Sequence, residues 1–397
     1  MPRFNLGLFQ KNFNSTSRVS TAAVNMGCTR GRGSTTRMFN YCNQHSPNPS
    51  LCINQFINIQ PAYNATPVPN QKEWSQLGSD FGNGTIEALA VNSSNGYVYA
   101  AGTFTNGSGN YYVAVYNGSS WTQLGADFGN SGAILALAVN PLNGYVYAGG
   151  SFTNGSNKYV AVYDGFSWSQ LGTDFSDSIY ALAVDTSIGP SNGYVYAGGY
   201  FQNGGGYYVA VYNGSWSQVG TNFNSGINTL AVNPSNGYVY AGGGFTNGSS
   251  NYYVAVYNGS WSQLGTDFNA DIRIVAVNPS NGYVYASGIF TNGSGNYYVA
   301  VYNGSWSQLG TDFGNNGSVY TLAIGSNGYI YAGGFFKNAS GNYYVAVYNG
   351  SSWSQLGNDF GNYDGIYRLV INSSNGYIYA GGIFINSSGN CYVAIYN

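Results

Sequence analysis

The chain has 397 residues, 59 of them Gly and 40 Tyr, with 17% aromatic and only 6% charged residues, against about 25% charged in an average soluble protein. It is too aromatic and too weakly charged for a disordered chain. Ala, Glu, Lys, Leu and Arg are too scarce for a coiled coil, and the glycines do not follow collagen's three-residue period. The net charge of −2 divides sharply. Residues 1–71 hold six of the 11 bases and none of the 13 acids, giving +6, while residues 72–397, with five bases and 13 acids, carry −8.

In chain order, residues 1–71 come first. They lack repeats and a clear apolar period and are rich in Asn, Ser, Thr, Pro and Gly, which predicts a basic, irregular N-terminal arm that acts as a tether or assembly strap. The N-terminus, MPRFNLGLFQKNF, has no continuous apolar stretch, a poor match to a secretory signal. Arg30, Arg32 and Arg37 are the arm's expected contacts, suited to an acidic neighbour or to phosphates; without interleaved aromatics, nucleic-acid binding is the lesser reading. Cys28, Cys42 and Cys52 with His45 match no standard zinc spacing. Free thiols are expected in a reducing compartment and a disulfide in an oxidising one. No run of 18 apolar residues occurs anywhere, so no helical membrane span is expected.

From residue 72 onward one phrase recurs. The tryptophans Trp74, Trp121, Trp168, Trp216, Trp261, Trp306 and Trp353 each open W-[ST]-Q-[LV]-G-x-[DN]-F at spacings of 47, 47, 48, 45, 45 and 47. An ALAV-like run, a GY[VI]YA[GAS]G run and a YVA[VI]Y run follow each of them. In the second full unit these predict strands at 121–125, 133–139, 144–152 and 158–163. Asn143-Gly144, Asn154-Gly155 and Asp164-Gly165 mark the joints and suggest type I′ turns, whose central residues both take positive φ. About 46 residues for four strands is the arithmetic of a propeller blade. In Ala136-Leu137-Ala138-Val139, Leu and Val should face one neighbouring blade and the small alanines the other, and the Gly149-Gly150 doublet should let neighbouring backbones approach.

The ends of the repeat region close the argument. The first unit enters at the Trp74 strand with no YVAVY strand before it, and the last stops at Tyr392–Asn397 with no Trp strand after it. Pairing about 73–78 with about 391–397 completes a mixed blade. The expected fold is an all-β, seven-bladed propeller of four-stranded antiparallel blades over 72–397, preceded by the arm at 1–71.

The Gly149-Gly150 doublet, Tyr163 and Trp168, with their counterparts, resemble kelch-type and galactose-oxidase-like propeller repeats, although the Tyr-to-Trp gap is shorter than in kelch repeats. More loosely, the YVYAGGxFTNGSGNYYVAVYNGSSW phrase resembles propeller-repeat proteins of bacterial surfaces and of large DNA viruses of protists. The first resemblance raises copper chemistry. The single histidine, His45, lies outside the repeats, so no imidazole set is available for copper or for a nucleophilic triad. The second implies a component of a virion or surface layer.

Candidate chemistry is therefore sought in the repeats. Asp80, Asp127, Asp174, Asp267, Asp312 and Asp359, with Asn222 in the remaining unit, recur at one place, and such uniform placement predicts structural Asx turns in preference to acid–base or cation chemistry. The positions that differ between units are the better partner-facing candidates: Glu87, Leu135, Tyr180, Asn228, Arg273, Tyr320 and Tyr367, a ring expected near the axial opening. The seven tryptophans are expected to pack blade on blade, with sugar stacking as the alternative. Seventeen N-x-[ST] sequons occur, and the preference of Asn-Gly for turns accounts for most of them without glycans. Cys391 replaces a repeated Tyr in the closing blade, where an arm cysteine would lock the clasp. The expectation is a non-enzymatic platform without metal or cofactor, with protein partners in a large assembly such as a virion capsid or extracellular surface layer, and a glycan-binding propeller as the alternative.

Overall fold

A computed structural model describes residues 72–187, 189–362 and 365–397. The expectations placed on Arg30, Arg32, Arg37, Cys28, Cys42, Cys52 and His45 lie outside the described residues. The described chain forms twenty-eight strands and no helix, numbered β1 to β28 in chain order. They make seven four-stranded antiparallel sheets arranged as the blades of a propeller.

Blade one shows how the repeated phrase becomes a sheet. Its inner strand is β2 (Ile86–Asn92), followed outward by β3 (Tyr97–Gly102), β4 (Ala114–Tyr116) and β5 (Trp121–Gln123). Val, Ile, Tyr and Trp suit a pleated, half-buried surface. The connection from β2 to β3 is a tight turn in which Gly96 N–H donates to Asn92 O at 2.8 Å while Gly96 takes φ +80. The β3–β4 loop is longer and lies at the opposite end of the blade. Each blade thus has a turn face, carrying its two tight hairpins, and a loop face, carrying the β3–β4 loop and the crossover to the next blade.

The turns are not type I′. Among the described residues Ser250 is the one non-glycine with positive φ, so Asn143 and its relatives stay in the right-handed region. Their side chains supply the reason: Asn143 Oδ1 accepts the Tyr145 N–H at 3.0 Å, an Asx turn that leaves positive φ to Gly144 alone.

The ring closes as the repeat ends require. Strand β1 (Trp74–Gln76) pairs with β28 (Ala394–Tyr396), Trp74 opposite Tyr396, and the sheet continues through β27 (Ile378–Gly382) to the inner β26 (Ile366–Ile371). The seam matches the others in chemistry. Trp74 Nε1 donates to Leu356 O at 2.9 Å, and every other indole reaches the outer strand of the preceding blade in the same way, as Trp121 does to Leu77 O at 2.6 Å. The glycine of each WSQLG run accommodates the next indole: Gly125, at φ +64, lies under Trp168 with no room for a side chain. The tryptophans therefore pack blade on blade.

The core sits between blades. Ala88, Ala90 and Tyr99 of blade one pack with Ile134, Val146 and Phe152 of the next, while Leu89 and Val91 face Tyr379 and Val393 of the blade before. Ile86, Phe104 and their counterparts are fully buried, each worth about 2–3 kcal/mol relative to exposure. No blade encloses a core of its own, so blades stabilise one another.

The two glycines of the doublet divide the labour in a way the sequence did not indicate. Gly149 faces the Ile179 side chain of the next blade. Gly150 instead backs onto its own blade, where an added Cβ would stand 2.2 Å from Ala133 O. The close approach at Gly150 is thus within one sheet, not between neighbours.

Candidate functional site

That close approach marks a β-bulge. In all seven blades the register between the inner strand and its neighbour shifts at the same point, between Ile86 and Ala88 in blade one and between Ile134 and Ala136 in the next. The extra residue at each shift is the one singled out for its variability: Glu87, Leu135, Tyr180, Asn228, Arg273, Tyr320 or Tyr367. A bulged residue has no direct partner across the ladder, so its side chain can change without disturbing the sheet. All seven stand on the inner strands at the loop face, and none is fully buried.

The structure brings some of these residues together. Tyr320 and Tyr367 stack with ring centroids 6.4 Å apart, and Phe335 packs on both, at 4.9 Å from Tyr320 and 5.6 Å from Tyr367. The Arg273 guanidinium lies 5.8 Å from the Tyr320 centroid and pairs with Asp271 at 3.3 Å. This is the one ion pair among the described residues, and Arg273 Nε is buried without a hydrogen-bond partner there. Arg368 follows Tyr367 and donates to its carbonyl at 2.9 Å. Burial pulls Arg368 below the usual arginine range, opposed by the Glu87 charge.

A second cluster stands in blade three, where Tyr180 meets Tyr200 at 5.1 Å and Tyr200 meets Tyr207 at 6.0 Å. Tyr180 and Tyr200 are both exposed. The other ring members turn to local partners. Glu87 Oε1 accepts the Thr85 hydroxyl at 2.8 Å, and Asn228 Nδ2 donates to Ile272 O of the next blade at 3.2 Å. Leu135 is half-buried and joins neither cluster.

Tyr200, Phe335, Asp271 and Arg368 were missed from the sequence. Tyr200 and Phe335 directly follow the glycine doublet, at a position that reads Thr103, Ser151, Tyr200, Gly244, Ile289, Phe335 and Ile383 around the ring. Each donates its backbone N–H to the residue leading into its inner strand, as Tyr200 does to Ser178 O at 3.0 Å. Comparing the units at that position would have exposed a second variable ring beside the first. Arg368 replaces the Ala88, Ala136 and Ala181 of other inner strands, a substitution visible once the units are aligned.

The recurrent acids form the frame around this face. Asp127 accepts Nδ2 of Asn106 at 3.0 Å and of Asn110 at 3.1 Å, plus the Gly129 N–H at 3.2 Å. Asn106 Nδ2 also donates to Gln123 Oε1 at 3.1 Å, while Asn106 Oδ1 accepts two backbone N–H groups of its own loop. The expected Asx turn is therefore present at Asp127, but its closest partners are loop asparagines. Asp174 and Asp267 rely on loop asparagines and the strand glutamine instead. The amides of Asn106 and Asn110, with the Gly129 N–H, hold Asp127 below the usual carboxylate range. The arrangement clamps the loop to the outer strand in each blade. Among the described residues, no three His, Cys, Asp or Glu side chains group as a metal-binding set.

On the turn face the chemistry is more uniform. Tyr97, Tyr145, Tyr194, Tyr238, Tyr283, Tyr329 and Tyr377 follow the inner turns, and behind them the hydroxyl-bearing Tyr196 is pushed up to about 12 by burial and then by the Asp185 charge. Cys391 is buried, its thiol pushed up by burial, with Sγ 3.6 Å from Ile383 O. The arm cysteines expected to reach it lie outside the described residues. No described helix is long and apolar enough to cross a membrane.

A scan against protein-family models finds no match to this chain. A search of curated proteins finds no match either.

Proposed function

We propose that the propeller is a non-enzymatic interaction platform that holds a protein partner on its loop face, as a component of a larger assembly such as a virion capsid or an extracellular surface layer. One observation carries this reading: residues that vary between otherwise near-identical blades collect at the bulges of the inner strands and at the neighbouring post-doublet positions. Variation at one structural position in every blade suits recognition of a partner, and the Arg273–Tyr320–Tyr367 sector combines the residue types that dominate binding hot spots. The 6% charge leaves little repulsion between neighbouring copies in an assembly.

The test is particle association. Protein from its native source is expected to sediment with a particle, and a chain carrying Arg273→Ala, Tyr320→Ala and Tyr367→Ala is expected to lose that association while remaining folded. Sedimentation of the triple variant with the particle at the native level would remove the loop face from consideration.

A second reading rests on Tyr180 and Tyr200, whose exposed rings offer apolar faces for sugar stacking. On that reading the platform is a surface lectin. A glycan array settles between them: binding abolished by Tyr180→Ala and Tyr200→Ala supports the lectin, and an empty array with particle association intact supports the platform.

A further inference from the structure

Fifteen of the sequons lie on described residues, and they differ in how the asparagine side chain is held. In the β3–β4 loops and their equivalents, Asn106, Asn154, Asn247, Asn292, Asn338 and Asn386 each commit Nδ2 to the outer-strand glutamine and to the recurrent aspartate of their blade. Asn92 and Asn372 are buried. The outer hairpins on the turn face differ. Asn117, Asn213, Asn258, Asn303 and Asn349, each beginning Asn-Gly-Ser, are exposed, and Nδ2 has no hydrogen-bond partner in any of them.

Turn chemistry explains the glycine of these hairpins, which takes φ from +97 to +118. In Asn117 and Asn349 an Asx turn also engages Oδ1, which accepts two backbone N–H groups and the Ser119 or Ser351 hydroxyl, but it leaves Nδ2 unused. In Asn213, Asn258 and Asn303 the side chain makes no hydrogen bond, and neither do the hydroxyls of Ser215, Ser260 and Ser305; only the backbone closes the turn. Blade two builds the Asn117-type hairpin from Asp164-Gly165-Phe166-Ser167: Asp164 Oδ1 accepts the Phe166 and Ser167 N–H groups at 2.9 Å, Asp164 N–H reaches Ser167 O at 3.4 Å, and Phe166 is 90% exposed. The hairpin therefore uses at most the side-chain Oδ1, and needs neither the Asn Nδ2 nor the Ser hydroxyl.

We infer that Asn117, Asn213, Asn258, Asn303 and Asn349 are N-glycosylation sites that dress the turn face, and that Asn83 and Asn316, exposed in two loop-face crossovers with Nδ2 equally unpartnered, belong to the same class. The donor is an oligosaccharide carried on a lipid pyrophosphate. Asn Nδ2 attacks the anomeric carbon, the N–C bond forms, the C–O bond to pyrophosphate breaks, the lipid pyrophosphate leaves, and one amide proton passes to a base of the transferring enzyme. The remaining N–H and the glycan both project into solvent. At Asn106 the same substitution would replace a hydrogen that the Gln123–Asp127 clamp uses.

The full chain, placed behind a secretion leader in a eukaryotic host, tests this. The secreted protein is checked for folding by near-ultraviolet circular dichroism, then treated with peptide N-glycosidase in H2(18)O and mapped by peptide mass spectrometry. The label is expected at the five turn-face asparagines and at Asn83 and Asn316, and absent from Asn92, Asn106, Asn154, Asn247, Asn292, Asn338, Asn372 and Asn386. Five Asn→Gln substitutions at the turn-face positions are expected to remove the corresponding mass shift without loss of fold. Asp164→Asn together with Phe166→Ser is expected to add one glycan in blade two. Label on the clamped amides of folded protein, no label on the five, or no gain in blade two would each overturn the assignment.

Discussion

The two faces of the ring are built from the same seven-fold phrase and use it in opposite ways. On the turn face the hairpins and the Tyr after the inner turn recur, with local exceptions. Asp185 and Gly325 stand for the capping Asn, blade three has the longer connection 185–194, and Asp164-Gly165-Phe166 opens the outer turn of blade two. On the loop face, bulged residues run from Glu87 through Leu135 to Arg273 and Tyr367. The difference lies in the hydrogen-bond ladder. A turn that joins paired strands must satisfy both registers, whereas a bulge contributes a residue outside the register and frees its side chain. The Asn–Gln–Asp clamps then hold the loops that frame those free positions.

The largest expected effect breaks both faces at once. Trp74→Ala removes a buried indole and its bond to Leu356 O at the closing seam, and should cost about 3–5 kcal/mol. Chemical denaturation reads it, and a stability unchanged within error would mean that β1 contributes little to closure. Next comes the bulge itself. Gly150→Ala drives a Cβ against Ala133 O and should cost about 3 kcal/mol. Gly149→Ala meets only side chains, those of Ile179 and Leu182, and Ala101 already fills the equivalent place in blade one, so about 1 kcal/mol is expected. Equal losses for the two would contradict the division of the doublet.

pH separates the faces more gently. Asp127, lowered by Asn106 and Asn110, and Asp312, lowered by Asn292 and Asn296, are more acidic folded than unfolded. Their stabilisation is complete above the unfolded value near 4 and is lost as pH falls through the lower folded values. Loop-face amides should therefore exchange faster below about pH 4 while turn-face amides hold, except in the Asp164 hairpin, whose carboxylate is lowered by the Ser167 and Phe166 N–H groups. On the loop face the blade containing Asn222 should be the least sensitive of the seven. At the other extreme, Tyr196 is raised to about 12. Its contribution is complete below the unfolded value near 10 and fades as pH rises toward the folded one. Asp185→Asn should lower that titration in a spectrophotometric measurement. Smallest of all, Tyr320→Ala should change stability by no more than about 1 kcal/mol, because a bulged residue lies outside the ladder; a much larger loss would make the ring structural.

The architecture was legible because its signals are spaced along the chain in register with the blades. One Trp every 45 to 48 residues, complementary ends and Asn-Gly joints together give blade number, strand number and closure. The ring from Glu87 to Tyr367 was found for the same reason, since variation stands out against repetition. The bulge was not legible, because an extra residue in a strand leaves no compositional mark. The clamp was not legible either: Asn106 and Asp127 are 21 residues apart and meet only after two strands have folded back. The turn type was misjudged because Asn-Gly permits two geometries, and the side-chain bond that selects between them appears only in three dimensions.

The ring of indole-to-carbonyl bonds carries one more consequence. The seam that joins Trp74 to Leu356 uses the same indole-to-backbone-carbonyl bond as the other six, so the position of the chain ends is incidental to the assembled circle. A circular permutant that links Asn397 to Lys72 through a short hairpin and opens the backbone between Gly118 and Ser119 should therefore refold into the same seven blades.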